Sequence, residues 1–172
     1  MRTTMYFYLR VALIAFASMY CYSLNAQKAQ LEKLSELKGV EYVHFDKAAL
    51  TNLAENKGSI DVGDNSIIKD AKGEILNLLD EVYVIKTDAS KRLAKKIKNA
   101  AQSFIKSNDL QSLFDITGND YPKVKIYHAK NGDINTSALL VEEKDETFFV
   151  VLKGAFNLGG LLQGAMQGGG AI

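Results

Sequence analysis

The pattern of hydrophobic and polar positions divides the first third of the chain into short helical and extended segments. Leucines spaced three residues apart predict a short helix over 27–37. Aromatic and β-branched residues predict a strand at Val40–Phe45. Asp46 follows that strand and is a suitable N-cap for a second helix at Lys47–Glu55.

The middle of the chain combines a turn-rich stretch with the two most strongly patterned segments. Glycine, aspartate and asparagine recur through 57–74 and predict a loop. Glu81–Lys86 is apolar on both faces, which predicts a strand in the centre of a sheet. Ala89–Ser107 has a hydrophobic stripe at helical spacing and predicts a helix capped by Asp88 or Ser90.

From residue 110 onward the pattern is mainly that of β-strands. Asn131-Gly132 predicts a tight type I′ turn between two of them. Asn157–Gln167 predicts a helix weakened by glycine, and 159–172 form a glycine-rich C-terminal tail. The predicted strands are Gln111–Thr117, Lys123–Lys130, Ser137–Glu143 and Thr147–Lys153.

This order of elements predicts an α+β fold with one domain over 27–158. Helices alternate with single strands up to residue 107, and a run of consecutive strands follows, which favours antiparallel pairing. We therefore expect a single, mainly antiparallel sheet of about five or six strands, with helices packed on one face.

Residues 1–26 have the pattern of a secretory signal peptide. Arg2 and Arg10 are the only charges, and the apolar run 11–24 is 14 residues long, shorter than the roughly 20 that span a bilayer. Cleavage after Ala26 is the first choice and cleavage after Ser23 the second, with an uncleaved anchor as the alternative. The surroundings of Cys21 do not form a lipobox. We therefore expect an exported protein, periplasmic or associated with the cell envelope.

Charge and cysteine content exclude several classes of protein. The net charge of +1 over 172 residues is unlike that of a dedicated nucleic-acid binder. Cys21 is the only cysteine. Its removal with the signal peptide would leave no disulfide, no thiolate metal ligand and no cysteine nucleophile.

The residue types that usually mark a catalytic or metal site do not form recognisable motifs. His44 and His128 lie on separate predicted strands, without the neighbouring ligands that a metal site needs. Asp61–Asn65 lacks the spacing of a calcium loop, and Gly154–Gly160 lacks the lysine and hydroxyl residue of a phosphate loop. We therefore predict no catalytic, cofactor-binding or metal-binding residue, and no cofactor.

The helix at 89–107 carries the main functional hint in the sequence. Seven basic residues and one acidic residue lie between Lys86 and Lys106. Such a face can contact anionic lipid or another polyanion, although a solvated helix face has the same pattern. The candidate contact residues are Lys91, Arg92, Lys95, Lys96 and Lys98.

Several segments together resemble a known family. They are the first strand at Gly39–Val43, the segment Leu78–Val84, the lysine-rich helix after it, and the ending Lys153–Leu158. In these features the chain resembles the small exported bacterial proteins of domain of unknown function family 4252, over most of 30–160. The resemblance implies a single α+β domain without an assigned activity, so it transfers no functional residues. Gly159–Gly170 departs from the family pattern, in which charged helix residues are expected.

We expect a non-enzymatic binding or interaction module with an unidentified envelope partner. The alternatives are a membrane-peripheral protein that uses the basic helix 89–107, a structural or adhesion component, and an enzyme with an unrecognised site. A deep polar pocket with strongly shifted carboxyl pKa values would favour the enzyme. An exposed apolar groove or sheet edge would favour the binding module.

Overall fold

The computed structural model describes residues 28–29, 31–56, 58–62, 65–69, 74–87, 90–118, 122–143, 146–157 and 159. Helical turns at 31–35 precede the first strand, and a short 3-10 turn at Leu76–Leu78 precedes the fourth. The remaining elements are β1 (Glu41–Phe45), α1 (Lys47–Glu55), β2 (Ser59–Val62), β3 (Asn65–Lys69), β4 (Leu79–Thr87), α2 (Lys91–Ser107), β5 (Gln111–Ile116), β6 (Lys123–Asn131), β7 (Ile134–Glu143) and β8 (Glu146–Gly154).

Six of the strands form one antiparallel sheet. Their order across the sheet is β1-β4-β8-β7-β6-β5, and each neighbouring pair is antiparallel. β2 and β3 form a separate two-stranded hairpin. The predicted α+β class and its mainly antiparallel sheet are confirmed.

The two longer helices lie on opposite faces of this sheet. Successive residues of β4 alternate between two buried clusters: Tyr83 and Ile85 pack under α2, whereas Val82 and Val84 pack under α1. We expected helices on one face only. Both faces need a cover because the central strands β4 and β8 are apolar on both sides, so burying only one face would leave the other in water.

Side-chain caps fix the starts of both helices. Asp46 Oδ1 accepts a hydrogen bond from Ala49 N at 2.9 Å, and α1 has the bounds that its sequence predicts. Ser90 Oγ accepts from Leu93 N at 3.3 Å, so Ser90 caps α2. These caps involve residues only three positions apart, which explains why the sequence predicts them well.

Two local predictions are wrong. The loop predicted at 57–74 contains β2 and β3, and Ile60 of β2 is completely buried beneath α1. The hairpin turn is also shifted, because Asn131 pairs with Ile134 and the two loop residues are Gly132 and Asp133. Gly132, the first loop residue, has φ +62°, whereas Asp133, the second, has no positive φ, a combination typical of a type II′ turn rather than type I′.

The predicted helix at 157–167 and the predicted signal peptide at 1–26 lie almost entirely outside the described residues; only 157 and 159 are described.

Candidate functional site

The basic residues predicted as contacts do not all occupy the same environment. Lys98 is half-buried, and its Nζ lies 2.7 Å from Glu142 Oε2 on β7. This ion pair ties α2 to the sheet, so Lys98 has a structural partner within the chain. The other four side chains are exposed on α2: Lys91, Arg92, Lys95 and Lys96.

The two histidines lie on opposite faces of the sheet and far apart in strand order. His128 on β6 faces the α1 side, and its Nδ1 lies 2.9 Å from Ser137 Oγ on β7. Ser137 is only 4% exposed, so its side chain is buried and has little contact with solvent. His44 on β1 faces the α2 side and stacks on Tyr83 with ring centroids 4.3 Å apart.

A cleft of about 580 Å³ lies beside His128, where the β6–β7 turn meets the chain after β8. Asn135 Nδ2 donates to Phe156 O at 2.7 Å and holds one wall of the cleft to the other. No cluster of three or more potential metal ligands occurs in the part of the chain that the structure describes. The cleft is lined by His128, Lys130, Asp133, Asn135, Ala155, Phe156 and Asn157.

A polar group surrounds Glu81 on the α2 side of the sheet. The Tyr83 hydroxyl donates to Glu81 Oε1 at 3.3 Å, and His44 Nε2 lies 3.9 Å from the same oxygen. Lys153 Nζ lies 3.7 Å from Glu81 Oε2. The hydroxyl of Tyr42 and Nε2 of His44 are buried without a hydrogen-bond partner among the described residues.

The environment of these tyrosines keeps their hydroxyls protonated. Burial raises the pKa of Tyr42 to about 12, and the negative charges of Glu32 and Glu81 act in the same direction. Burial and Glu81 also raise the pKa of Tyr83 well above its ordinary value. Both phenols are therefore neutral at neutral pH rather than phenolate bases.

Among the described residues, the cover on the α1 side of the sheet extends over about half of its width. One row of cross-strand neighbours runs from Val84 on β4 through Val150, Leu139 and Ile126 to Phe114 on β5. Val84 is 1% exposed and Val150 2%, whereas Phe114 is 53% exposed. The cover that α1 provides therefore ends before the strands β6 and β5.

Two exposed and three partly buried apolar side chains beyond this cover form a contiguous surface, which we call the open half-face. Ile116 is 42% exposed and pairs with Val124, which in turn pairs with Val141. None of these side chains belongs to either buried cluster. The open half-face consists of Phe114, Ile116, Val124, Ile126 and Val141.

Strand β5 contributes Phe114 and Ile116 to the open half-face and lies at the edge of the sheet. All six of its residues are exposed, and Leu113 forms a bulge between Ser112 and Phe114. Asp115 on the opposite face accepts from Thr117 and pairs with Lys125 at 2.9 Å. The hydrogen bonds from Thr117 and Lys125 lower the pKa of Asp115.

The sequence predicts the strands of this surface but not its exposure. Alternation identifies the apolar side of each strand, but it does not show whether a helix covers that side. One signal is available in the sequence: the predicted strands have more apolar faces than the predicted helices can cover. Hydrophobic residues at the open half-face are therefore the functional candidates that motif searching missed.

Comparison with known proteins identifies a family without an assigned activity. No curated protein matches the chain. Within the described residues, no helix combines the length and the apolar character that a membrane crossing needs. The family model for a domain of unknown function, DUF4252, matches residues 38–161, which is most of the chain and includes all the strands and helices described above except the turns at 31–35. The chain therefore belongs to the DUF4252 family.

Proposed function

We propose that this protein is an exported, non-enzymatic binding module of the cell envelope. Its partner is a protein that contributes an extended, partly apolar segment to the open half-face and to the edge of β5. The observation that carries the proposal is the row of cross-strand neighbours that ends uncovered at Phe114. The pattern of residues 1–26 supports export.

Leaving this apolar surface in water costs free energy. Monomeric soluble proteins rarely expose large contiguous apolar patches unless the patch has a function. Covering the exposed half of Phe114 alone is worth roughly 1 kcal/mol. A partner that buries the open half-face therefore gains affinity from a surface that is costly in the free protein.

The edge strand supplies a second, directional contribution. An edge strand presents unpaired backbone N–H and C=O groups, which an added strand can satisfy. Phe114 and Ile116 lie two positions apart on β5, so their side chains point to the same face of the sheet. Alternate residues of a strand added beside β5 would point to that face as well. We therefore expect the partner segment to be extended and to have apolar residues at alternate positions.

Co-purification from envelope fractions tests this proposal. The tagged full chain is compared with Phe114→Ser/Ile116→Ser and with Ile134→Ser, in which a residue of similar exposure is changed outside the open half-face. The partner should be retained by the Ile134 variant and lost from the double variant, with both variants folded. Equal retention by the two variants would contradict the proposed surface.

A second candidate function rests on the four exposed cations of α2. Their helix lies on the face opposite to the open half-face, so an anionic membrane could be contacted independently of the partner. Binding to anionic vesicles should fall in Lys95→Gln/Lys96→Gln, but much less in Lys123→Gln/Lys130→Gln, which removes the same charge elsewhere. The attraction should also disappear at high salt because it acts over about a Debye length. No sedimentation of the parent chain with anionic vesicles at low salt would eliminate this candidate.

A further inference from the structure

The cleft beside His128 continues a row of side chains that begins in the open half-face. Val124 and Ile126 of β6 belong to the open half-face, and His128 and Lys130 follow them at alternate positions of the same strand. All four side chains therefore point to the same face of the sheet. At a rise of about 3.3 Å per residue, Ile126 and Lys130 are about 13 Å apart along β6. An extended partner segment that lies on the open half-face needs only about four more residues to reach the cleft.

The edge of the sheet gives such a segment access to the cleft. Gln111, the first residue of β5, pairs with His128, and the described part of β5 contains no partner for residues 129–131 of β6. The chain before Gln111 turns to the opposite face, where Leu110 is buried in the cluster beneath α2. A segment that lies beside β5 can therefore move inward past Gln111 and reach the cleft on the α1 side.

The pairing pattern of the sheet gives the segment a direction. All five neighbouring strand pairs of the six-stranded sheet are antiparallel. β5 runs from Gln111, at the level of the cleft, to Ile116 in the open half-face. A segment that continues the antiparallel pattern beside β5 therefore runs towards the cleft, and its C-terminal end lies there.

A buried hydroxyl group determines which nitrogen of His128 is left for a ligand. His128 Nδ1 lies 2.9 Å from Ser137 Oγ, and Ser137 is only 4% exposed. If Nδ1 carried the ring proton, the buried hydroxyl would have no acceptor among the described residues, which costs free energy. The Ser137 hydroxyl therefore donates to Nδ1, and the neutral ring carries its proton on Nε2. Because His128 lines the cleft, this N–H group is a donor for a ligand there.

The other polar groups of the cleft also favour a carboxylate. Lys130 is exposed and forms no ion pair with another described residue. Asn157 uses Oδ1 to accept from Gly159 N, so its Nδ2 group is the donor that it can offer to a ligand. Asp133 is the one acidic side chain among the described lining residues, and it repels an anion. The ammonium of Lys130 and the N–H groups of His128 and Asn157 can hydrogen-bond both oxygens of a carboxylate.

We infer that the partner segment is the C-terminal end of its chain and that the cleft binds its terminal carboxylate. This inference rests on the proposed function, to which it adds the direction of the segment and the chemistry of its end. The hydrogen bond from Asn135 to Phe156 O crosses the cleft at the level of Lys130, so the space fits a chain end better than a continuous chain. Its volume of about 580 Å³ accommodates the last residues of a peptide.

Three synthetic peptides test the inference with the purified full chain. Each alternates leucine and serine over about ten residues, as an added strand requires, and they end in a free carboxylate, a carboxamide or a glutamate carboxamide. The free acid should bind about tenfold more tightly than either amide, because only its terminal carboxylate reaches the donors of the cleft. Titration followed by NMR of the backbone amides gives the three dissociation constants.

The peptides separate failure of the inference from failure of the proposed function. Equal affinity of the free acid and the plain carboxamide would overturn the inference and leave the proposed function intact. Equal affinity of the free acid and the glutamate carboxamide would show that a side-chain carboxylate is sufficient, which overturns the terminal assignment. Failure of all three peptides to bind would contradict the proposed function itself.

Two substitutions of opposite sign locate the carboxylate in the cleft. Lys130→Gln should weaken binding of the free acid about two- to fivefold and leave the carboxamide unchanged. Asp133→Asn should strengthen binding of the free acid, because it removes a repelling charge. Lys123→Gln is the matched control, since Lys123 is also exposed on β6 but points to the opposite face. Equal weakening by Lys130→Gln and Lys123→Gln would assign the preference to long-range attraction and overturn the inference.

Discussion

At the scale of single residues, Tyr42 and Tyr83 show how one hydroxyl group can cost or contribute stability. Both side chains lie on the α2 side of neighbouring strands. The Tyr83 hydroxyl donates to Glu81, whereas the Tyr42 hydroxyl is buried with no hydrogen-bond partner in the described part of the chain. A buried polar group without a partner costs its desolvation, so removal of the two hydroxyls should have opposite effects.

Substitution by phenylalanine measures this difference. Tyr42→Phe should leave the free energy of unfolding unchanged or raise it by up to about 1 kcal/mol, because no hydrogen bond is lost. Tyr83→Phe should lower it by about 1 kcal/mol, because Glu81 loses a donor. Equilibrium unfolding in urea provides both values. An equal loss of stability in the two variants would contradict the assigned environments.

The raised pKa values of the same tyrosines predict an alkaline limit of stability. A phenol with a raised pKa in the folded state stabilises the fold fully below its unfolded pKa of about 10. That contribution is lost as the pH rises from about 10 through the folded pKa, which is about 12 for Tyr42. Tyr42→Phe/Tyr83→Phe should therefore lose less stability between pH 10 and 12 than the parent. Parallel pH profiles of stability would show that these phenols are not buried.

At the scale of elements, two glycines with positive φ have different structural roles. Gly154 ends β8 at φ +156°, and an added Cβ would lie 2.2 Å from Leu78 O. Gly132 has φ +62° in the β6–β7 turn, and an added Cβ would meet no atom within 4 Å. The close approach at Gly154 is required for β8 to pair with β4, whereas Gly132 meets only a conformational requirement.

Alanine at the two positions should therefore have unequal effects. Gly154→Ala should lower the free energy of unfolding by more than about 2 kcal/mol, because backbone atoms must move to remove the overlap. Gly132→Ala should lower it by about 1 kcal/mol, the cost of a positive φ for a residue with a side chain. Thermal unfolding ranks the two, and a larger effect at Gly132 would contradict the close approach at Gly154.

The elements that depend on short-range interactions were predictable from the sequence, and those that depend on pairing were not. Asp46 and Ser90 cap helices through residues three positions away, so their local sequence contains the information. The β6–β7 turn was misplaced by one residue because the pairing of Asn131 with Ile134 is set along the whole length of both strands. The side on which α1 packs, and hence the exposure of Phe114, depends on contacts between distant segments that periodicity does not report.

At the scale of the whole molecule, the two faces of the sheet differ in what they offer to other molecules. The α2 side is covered by a helix with exposed cations, and its polar group around Glu81 is largely internal. The α1 side ends in the open half-face, which is apolar. The proposed partner and a membrane surface would therefore approach from opposite sides and would not compete.

The proposed export gives a prediction about the mature protein. Because charged and polar residues return at Gln27, we expect the mature chain to start there, after removal of Met1–Ala26. The intact mass of protein from the periplasm should correspond to this start or to the alternative cut after Ser23. Material that retains Cys21 would contradict cleavage at either position, and its melting temperature would then be worth comparing with and without reductant.

Site-specific photo-crosslinking in the native envelope shows whether the open half-face contacts a partner protein. A benzoylphenylalanine residue replaces Phe114 in the open half-face, and the same residue replaces Ile134 as the control of similar exposure. We expect a discrete adduct with one envelope protein from position 114 and none from position 134. The adduct at position 114 should weaken when Ile116 is changed to serine. Adducts of equal yield from the two positions, or none from position 114, would contradict the open half-face as the binding surface.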